Sequence, residues 1–279
     1  MEKILLAIDS DNMNKHTLDF ACHIAYLTRS RLTGVFLLHE QEHIVPVNRT
    51  IFGMPYAETV VSADLPDHAK RVARCEESIA LFEECCWKRG IQYNVHVDKG
   101  IATEELVRET RFADLLITDT SLLCTHKLET PPGAIIKEVL SGSECPVLLA
   151  PVHFNGIDEI VFAYDGGACA TFAIRQFSAL FPELSEKKVT VVQVNETGEE
   201  PIAERESISE LLKEHYSSIG YQLLHGRADG ELIRYLEGKK NTMVVMGAFG
   251  RSAISAFFKR STAELLLQHH KLPLFIAHR

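Results

Sequence analysis

Gly247 and Gly250, in GAFG, follow an apolar run directly, and Ser261 and Thr262, in KRST, stand a short way further along the chain. Glycines so placed let the backbone turn sharply and bring its N–H groups against phosphate oxygens. A Ser-Thr pair can cap the helix that follows, whose free N–H groups and dipole favour an anion. Arg260 stands immediately before Ser261, and Arg251 and Lys259 make this the most basic loop of an acidic chain. Arginine is the best fork for phosphate oxygens, yet its side chain can also fill the space a phosphate needs. Both uses of Arg260 are open at this point. Each residue also has a plain structural use: Gly247 can end a strand, Ser261 can be only an N-cap, and Lys259 and Arg260 can balance acidic neighbours on a solvated face.

The elements that must position this loop are written twice. KILLAID (3–9) matches EIVFAYD (159–165), and RLTGVFLLHE (31–40) matches KVTVVQVNE (188–196). ESIALFEECCWKRGIQYNV (77–95) lies over SISELLKEHYSSIGYQLL (207–224), where Gly90 and Gly220 are each expected to end a helix before a strand. EELVRE pairs with GELIRY, ADLLITDT with KNTMVVMG, and CPVLLAP with LPLFIAH. The strand-like segments are nearly continuous apolar runs, as strands covered on both faces of a parallel sheet must be. The helix-like segments carry stripes, Ile79, Phe82 and Cys86 in one half and Leu211, Leu212 and Tyr216 in the other. The fold class expected is α/β: two repeated, open, doubly wound five-stranded parallel sheets with helices on both faces, packed as an internal pseudo-dimer. The fifth strands, PVLLA and PLFIA, are apolar edges that invite pairing with one another; further dimerisation of the whole chain is open. The first domain is expected over 1–152 and the second over 157–279, with a boundary around Pro151–Gly156. The first half alone carries an inserted segment, 41–67, which suits a lid, a partner-binding arm or a surface excursion.

In such a sheet a ligand sits beyond the carboxyl ends of the strands, where the first and fourth lie side by side and their connections part. In the second half those ends are Asp165 and Met246-Gly247, with Val194 ending the second strand nearby. Asp165 can accept hydrogen bonds from a ribose or a base. One carboxylate, one glycine-rich turn and one helix start thus converge on a crevice suited to a nucleotide.

A chain of 279 residues, 46% hydrophobic and 24% charged, is ordinary for a soluble protein of two domains. No apolar run reaches the length of a membrane span, and the first residues read as a strand rather than a leader, so the cytoplasm is the expected compartment. A net charge of −9 argues against a nucleic-acid partner. Seven cysteines, an odd number without a C-x-x-C pair, read as reduced thiols, with Cys86 on an apolar stripe. HEQEH (39–43) fits the letters of a zinc-protease motif, but Pro46 denies it the helix on which the motif works. No metal site is expected, and with no evident nucleophile or general base the chain is not assigned an enzymatic reaction beyond, at most, slow ATP hydrolysis.

The repeat and its loop resemble a tandem universal stress protein, two such domains in one polypeptide, over nearly the whole chain except 41–67. Nucleotide-binding members of that family carry G-x2-G-x9-G-[ST] after the fourth strand and an aspartate at the end of the first. The second half keeps Gly247, Gly250 and Ser261 but has Arg260 for the third glycine. At the same spacing the first half has Thr120, Leu123, Gly133 and Ala134; it keeps only the third glycine, so despite Asp9 it is not expected to bind nucleotide. The resemblance implies ATP or a similar adenine nucleotide, with or without Mg²⁺, lined by Ala163, Tyr164, Asp165, Val194, Met246, Gly247, Gly250, Ser261 and Thr262; Arg251 and Arg260 are added as candidates from the basic character of the loop, not from the resemblance. It also implies a stress-response role with a protein partner that reads occupancy. The competing class is an interaction scaffold, or a binder of another small ligand under 41–67, with both nucleotide sites degenerate.

Overall fold

The computed structural model of the chain describes residues 1–10, 12–38, 44–51, 54–61, 66–99, 102–120, 122, 134–195, 201–247 and 272–277. The first half runs β1 (Lys3–Asp9), α1 (Lys15–Thr28), β2 (Arg31–Leu38), β3 (Ile44–Ile51), β4 (Met54–Val61), α2 (Pro66–Lys88), β5 (Tyr93–Lys99), α3 (Ala102–Thr110), β6 (Leu115–Thr118), α4 (Ala134–Gly142) and β7 (Val147–Leu149). The second runs β8 (Glu159–Ala163), α5 (Ala168–Leu180), β9 (Lys188–Asn195), α6 (Arg205–Lys213), β10 (Ile219–His225), α7 (Ala228–Leu236), β11 (Thr242–Gly247) and β12 (Leu274–Ala277).

Ten of these strands form one sheet, in the order β10-β9-β8-β11-β12-β7-β6-β1-β2-β5. The first and fourth strands of each half are neighbours, β1 beside β6 and β8 beside β11, all parallel. Where the repeat predicts two five-stranded sheets, the structure has a single continuous one. Its centre is an antiparallel pair, with Leu149 opposite Leu274, Leu148 opposite Phe275 and Val147 opposite Ile276. Two apolar edges with open N–H and C=O groups satisfy each other there.

Two apolar layers cover the sheet. One gathers Phe20 and Ile24 of α1, Phe82 and Cys86 of α2, Phe177 of α5 and Leu212 of α6. The other gathers Leu106 of α3, Val139 and Leu140 of α4 and Leu236 of α7. Alternate residues of each strand feed opposite layers: Ile160 and Phe162 face the first, Val161 the second. Across the boundary between halves, Phe154 packs its ring 4.8 Å from that of Phe20 and 4.8 Å from that of His23.

Of the two glycines expected to end helices, one needs correction. Gly90, at φ +67°, does close α2, and the next N–H, of Ile91, bonds the Cys86 carbonyl at 3.0 Å. Gly220 does not end a helix. It lies inside β10, opposite Thr190, because α6 stops at Lys213 and a turn intervenes. Within the inserted segment, β3 and β4 pair antiparallel as a separate two-stranded sheet. Among the described residues no helix is long and apolar enough to cross a membrane.

Candidate functional site

At the carboxyl edge of the second half, β9, β8 and β11 lie side by side. Ala163 is level with Met246 on one flank and with Val192 on the other, so Val194 stands two residues further along β9. The face is fixed by strand alternation. Val161, Val192 and Val244 all point into the layer of α7, and Ala163, Val194 and Met246 follow them at a spacing of two. All three are half-buried. Three neighbouring strands therefore end in a small apolar floor, and Asp165, exposed, stands one more step along on the same side.

Asp165 is tied at one oxygen. Its Oδ1 accepts the Gly167 N–H at 2.8 Å and so shapes the turn into α5. A carboxylate has about four acceptor positions, so that bond does not exhaust it. The turn itself needs Gly166, which sits at φ +79° and where a Cβ would stand 2.6 Å from the Ala203 Cβ. Gly167 stands at the N-cap of α5, which has no side-chain cap and no acid in its first turn.

Tyr164 and Gly247 are used differently from the sequence expectation. The Tyr164 side chain is buried in the opposite layer, and its N–H bonds the Val192 carbonyl at 2.9 Å. Burial pushes its phenol above the ordinary range, against the Thr171 hydrogen bond. Only the main chain of Tyr164 is left for a ligand. Gly247 faces α5: a Cβ there would lie 2.4 Å from the Cys169 carbonyl carbon and 2.5 Å from the Ala170 nitrogen. Its lack of a side chain is required by helix packing before any phosphate is considered. Gly250, Arg251, Arg260, Ser261 and Thr262 lie outside the described residues.

The segment 201–204 beside this crevice has no signal in the loop pattern. Gln193, nearly buried at the end of β9, accepts the Ala203 N–H on its Oε1 at 2.9 Å and donates from Nε2 to Asn195 at 2.7 Å. The two glycines after Asp165 were the available hint that something packs there.

The matching crevice of the first half is filled by its own side chains. Asp119, just past β6, accepts Thr17 Oγ1 at 2.7 Å and Asn14 Nδ2 at 3.1 Å. Asn14 at the same time caps α1, its Oδ1 taking the His16 N–H at 3.0 Å. The cavity left beside Asp9, Asn12 and Leu122 measures about 20 Å³, room for one water. Leu123 and Gly133, with the HEQEH run, lie outside the described residues. Among the described residues no three His, Cys, Asp or Glu side chains come together as a metal site.

Residues 156–278 match the model of the universal stress protein family. The second half is a universal stress protein domain. A universal stress protein of Synechocystis is 29% identical over 144 residues, 51% of this chain and 50% of that protein. The chain thus spans about half the length of that relative. Solved structures agree on the fold. A universal stress protein from Archaeoglobus fulgidus DSM 4304 superposes with a TM-score of 0.68 at 14% identity, covering 99% of this chain and 96% of its own. A putative universal stress protein from Pseudomonas aeruginosa UCBPP-PA14 gives 0.57 at 15% identity, covering 100% and 93%. The shared architecture is α/β, a largely parallel sheet between helices.

Proposed function

We propose that the protein binds an adenine nucleotide, ATP or a close relative with or without Mg²⁺, at the second-half crevice, and reports occupancy to a protein partner in a cytoplasmic stress response. The reading rests on one observation above all: Val194, Ala163 and Met246 form an apolar floor on three adjacent strands, with the Asp165 carboxylate at its rim. The floor suits the face of a base and the carboxylate suits ribose hydroxyls. The basic loop that leaves β11 carries Gly250, Arg251, Arg260, Ser261 and Thr262 for the phosphates. Both halves, 1–152 and 157–279, are taken as units of the same type, paired internally through β7 and β12, with only the second keeping a nucleotide site.

The scaffold reading draws on the structural uses of Gly247 and Asp165. Thermal unfolding with and without millimolar ATP and Mg²⁺ separates the two. A ligand at ~100 times its Kd stabilises the native state by ~2.7 kcal/mol, enough to move a midpoint by several degrees. The parent is expected to shift and Asp165→Asn to shift less, since asparagine keeps the acceptor for Gly167 and removes only the charge. Arg260→Gly weakens binding where Arg260 grips phosphate and strengthens it where Arg260 blocks. No shift in the parent at saturating ATP would replace this reading with the scaffold.

A further inference from the structure

The strap 201–204 and the helix it opens sit directly against the Asp165 turn. Gly166, at φ +79°, abuts Ala203 so closely that a Cβ on it would stand 2.6 Å from the Ala203 Cβ. Ala203 is held in turn by Gln193 at the end of β9, whose Oε1 takes its N–H at 2.9 Å. Ile202 beside it is buried in the layer of α5 and α6. The next residue, Glu204, is the N-cap of α6 and stands at φ +47° with no side-chain capping bond. That left-handed backbone costs free energy for a residue with a Cβ. Arg205 opens α6 with its guanidinium 4.9 Å from the centre of the Tyr221 ring. The Tyr221 hydroxyl is buried and has no hydrogen-bond partner among the described residues, a second cost. Two unfavourable terms thus lie at the first turn of α6. The bond that begins this helix, from the Ile208 N–H to the Glu204 carbonyl at 3.0 Å, starts from the strained residue.

We propose that α6 is the output element of the second-half crevice: a nucleotide drawn to Asp165 shifts the Gly166 turn, which displaces the strap and loosens the first turn of α6. The inference rests on the nucleotide reading given above. Asp165 Oδ1 holds the Gly167 N–H at 2.8 Å, so the carboxylate that meets a ribose is also the one that shapes the turn. Ligand hydroxyls compete with that N–H for the same carboxylate. The ligand favours the released state because only there is Asp165 free to turn wholly toward it. When the turn moves, Ala203 moves with it, having no side chain that can swing aside. Glu204 takes up the backbone change, since leaving the left-handed region relieves strain. The unpaired Tyr221 hydroxyl gains access to water in the same step.

The full chain is followed by hydrogen–deuterium exchange with mass spectrometry and by thermal unfolding, with and without millimolar ATP and Mg²⁺. Expected on addition are a raised midpoint and exchange about 5–30-fold faster in peptides from Glu206 to Lys213. Exchange in α1 of the first half should not change. Two variants outside the crevice tighten the seat of α6: Glu204→Gly suits the left-handed backbone, and Tyr221→Phe removes the unpaired hydroxyl. Each should keep the midpoint shift and, with ATP bound, exchange more slowly over α6 than the parent. Variants that exchange as fast as the parent would overturn the assignment of the device to these two residues. A raised midpoint with α6 exchange unchanged or slowed overturns the inference and leaves the nucleotide reading standing. No midpoint shift at saturating ATP retires the nucleotide reading, and the inference with it. The parent chain alone separates those two failures, so neither depends on a variant folding.

Discussion

Gly247 and Cys169 approach so closely that no side chain fits between them: a Cβ on Gly247 would stand 2.4 Å from the Cys169 carbonyl carbon. The obstructing atoms are backbone at the start of α5, which cannot swing aside as a side chain would. Gly247→Ala is therefore expected to destabilise the protein by about 1–3 kcal/mol or more, measured by urea unfolding without nucleotide. A variant as stable as the parent would mean that α5 does not sit against β11. It follows that loss of nucleotide binding in a Gly247 variant is no proof of a phosphate contact, which is why Asp165→Asn is the better probe.

Tyr216 and Ser178 share a buried hydrogen bond of 3.0 Å. Ser178 already donates to the Ile174 carbonyl at 2.9 Å, so Tyr216 is the donor between them. Ser178→Ala leaves a buried phenol unpaired and is expected to cost about 1–3 kcal/mol, more than Tyr216→Phe. Burial pushes the Tyr216 phenol up to about 12 despite the Ser178 bond. A raised folded-state value means the unfolded chain loses its proton first. The stabilisation is then complete below the unfolded value of about 10 and disappears as pH rises toward 12. Stability curves from pH 9 to 12 should fall more steeply for the parent than for Tyr216→Phe, by about 2–3 kcal/mol over the interval. Parallel curves would show that Tyr216 is not the group responsible.

Glu159, at the amino end of β8, gathers Lys239 Nζ at 2.7 Å, Thr190 Oγ1 at 3.0 Å and Lys188 Nζ at 3.4 Å. Burial pushes its carboxyl up, but the Lys239 and Thr190 hydrogen bonds and the two lysine charges outweigh it and hold the group below its ordinary value. Stability from a depressed carboxylate is present above the unfolded value and lost as pH falls through the folded one. Glu159→Gln should cost about 1–2 kcal/mol at neutral pH. That difference should shrink as an acid titration passes below about pH 4. A difference unchanged at low pH would assign the loss to packing rather than to charge.

Asp119 anchors the start of α1 through Thr17 and Asn14. Asp119→Ala should cost about 1 kcal/mol and speed amide hydrogen exchange at the first turn of α1, leaving the second half unaffected. Unchanged protection there would show that α1 is held by its apolar face alone.

The strand–helix alternation is legible in the sequence because strands buried on both faces read as unbroken apolar runs; Ile4, Leu5 and Leu6 are all buried. The adjacency of β8 and β11 follows from the fold type, and it correctly places Asp165 beside the end of β11. What lies across space is not legible. The ion pair of Arg89 with Asp19 joins segments far apart in the chain, and no local pattern marks it. The burial of the Tyr164 side chain depends on which face of β8 it occupies, and a run with apolar residues on both faces hides that parity. The β3–β4 pair was obscured by Pro46 and Pro55, residues that weaken a strand reading although an isolated two-stranded sheet tolerates them. Gly247 reads as part of a phosphate loop because the same lack of a Cβ that close helix packing requires also suits close ligand approach.

The antiparallel pair of β7 and β12 sets the polarity of the molecule. Strands of the first half point their carboxyl ends toward one edge of the ten-stranded sheet, and strands of the second half point theirs toward the opposite edge. Asp9 and Asp165, at corresponding strand ends, consequently look away from each other. No single small molecule can touch both, and a protein docked at one end is blind to the other except through the sheet between them.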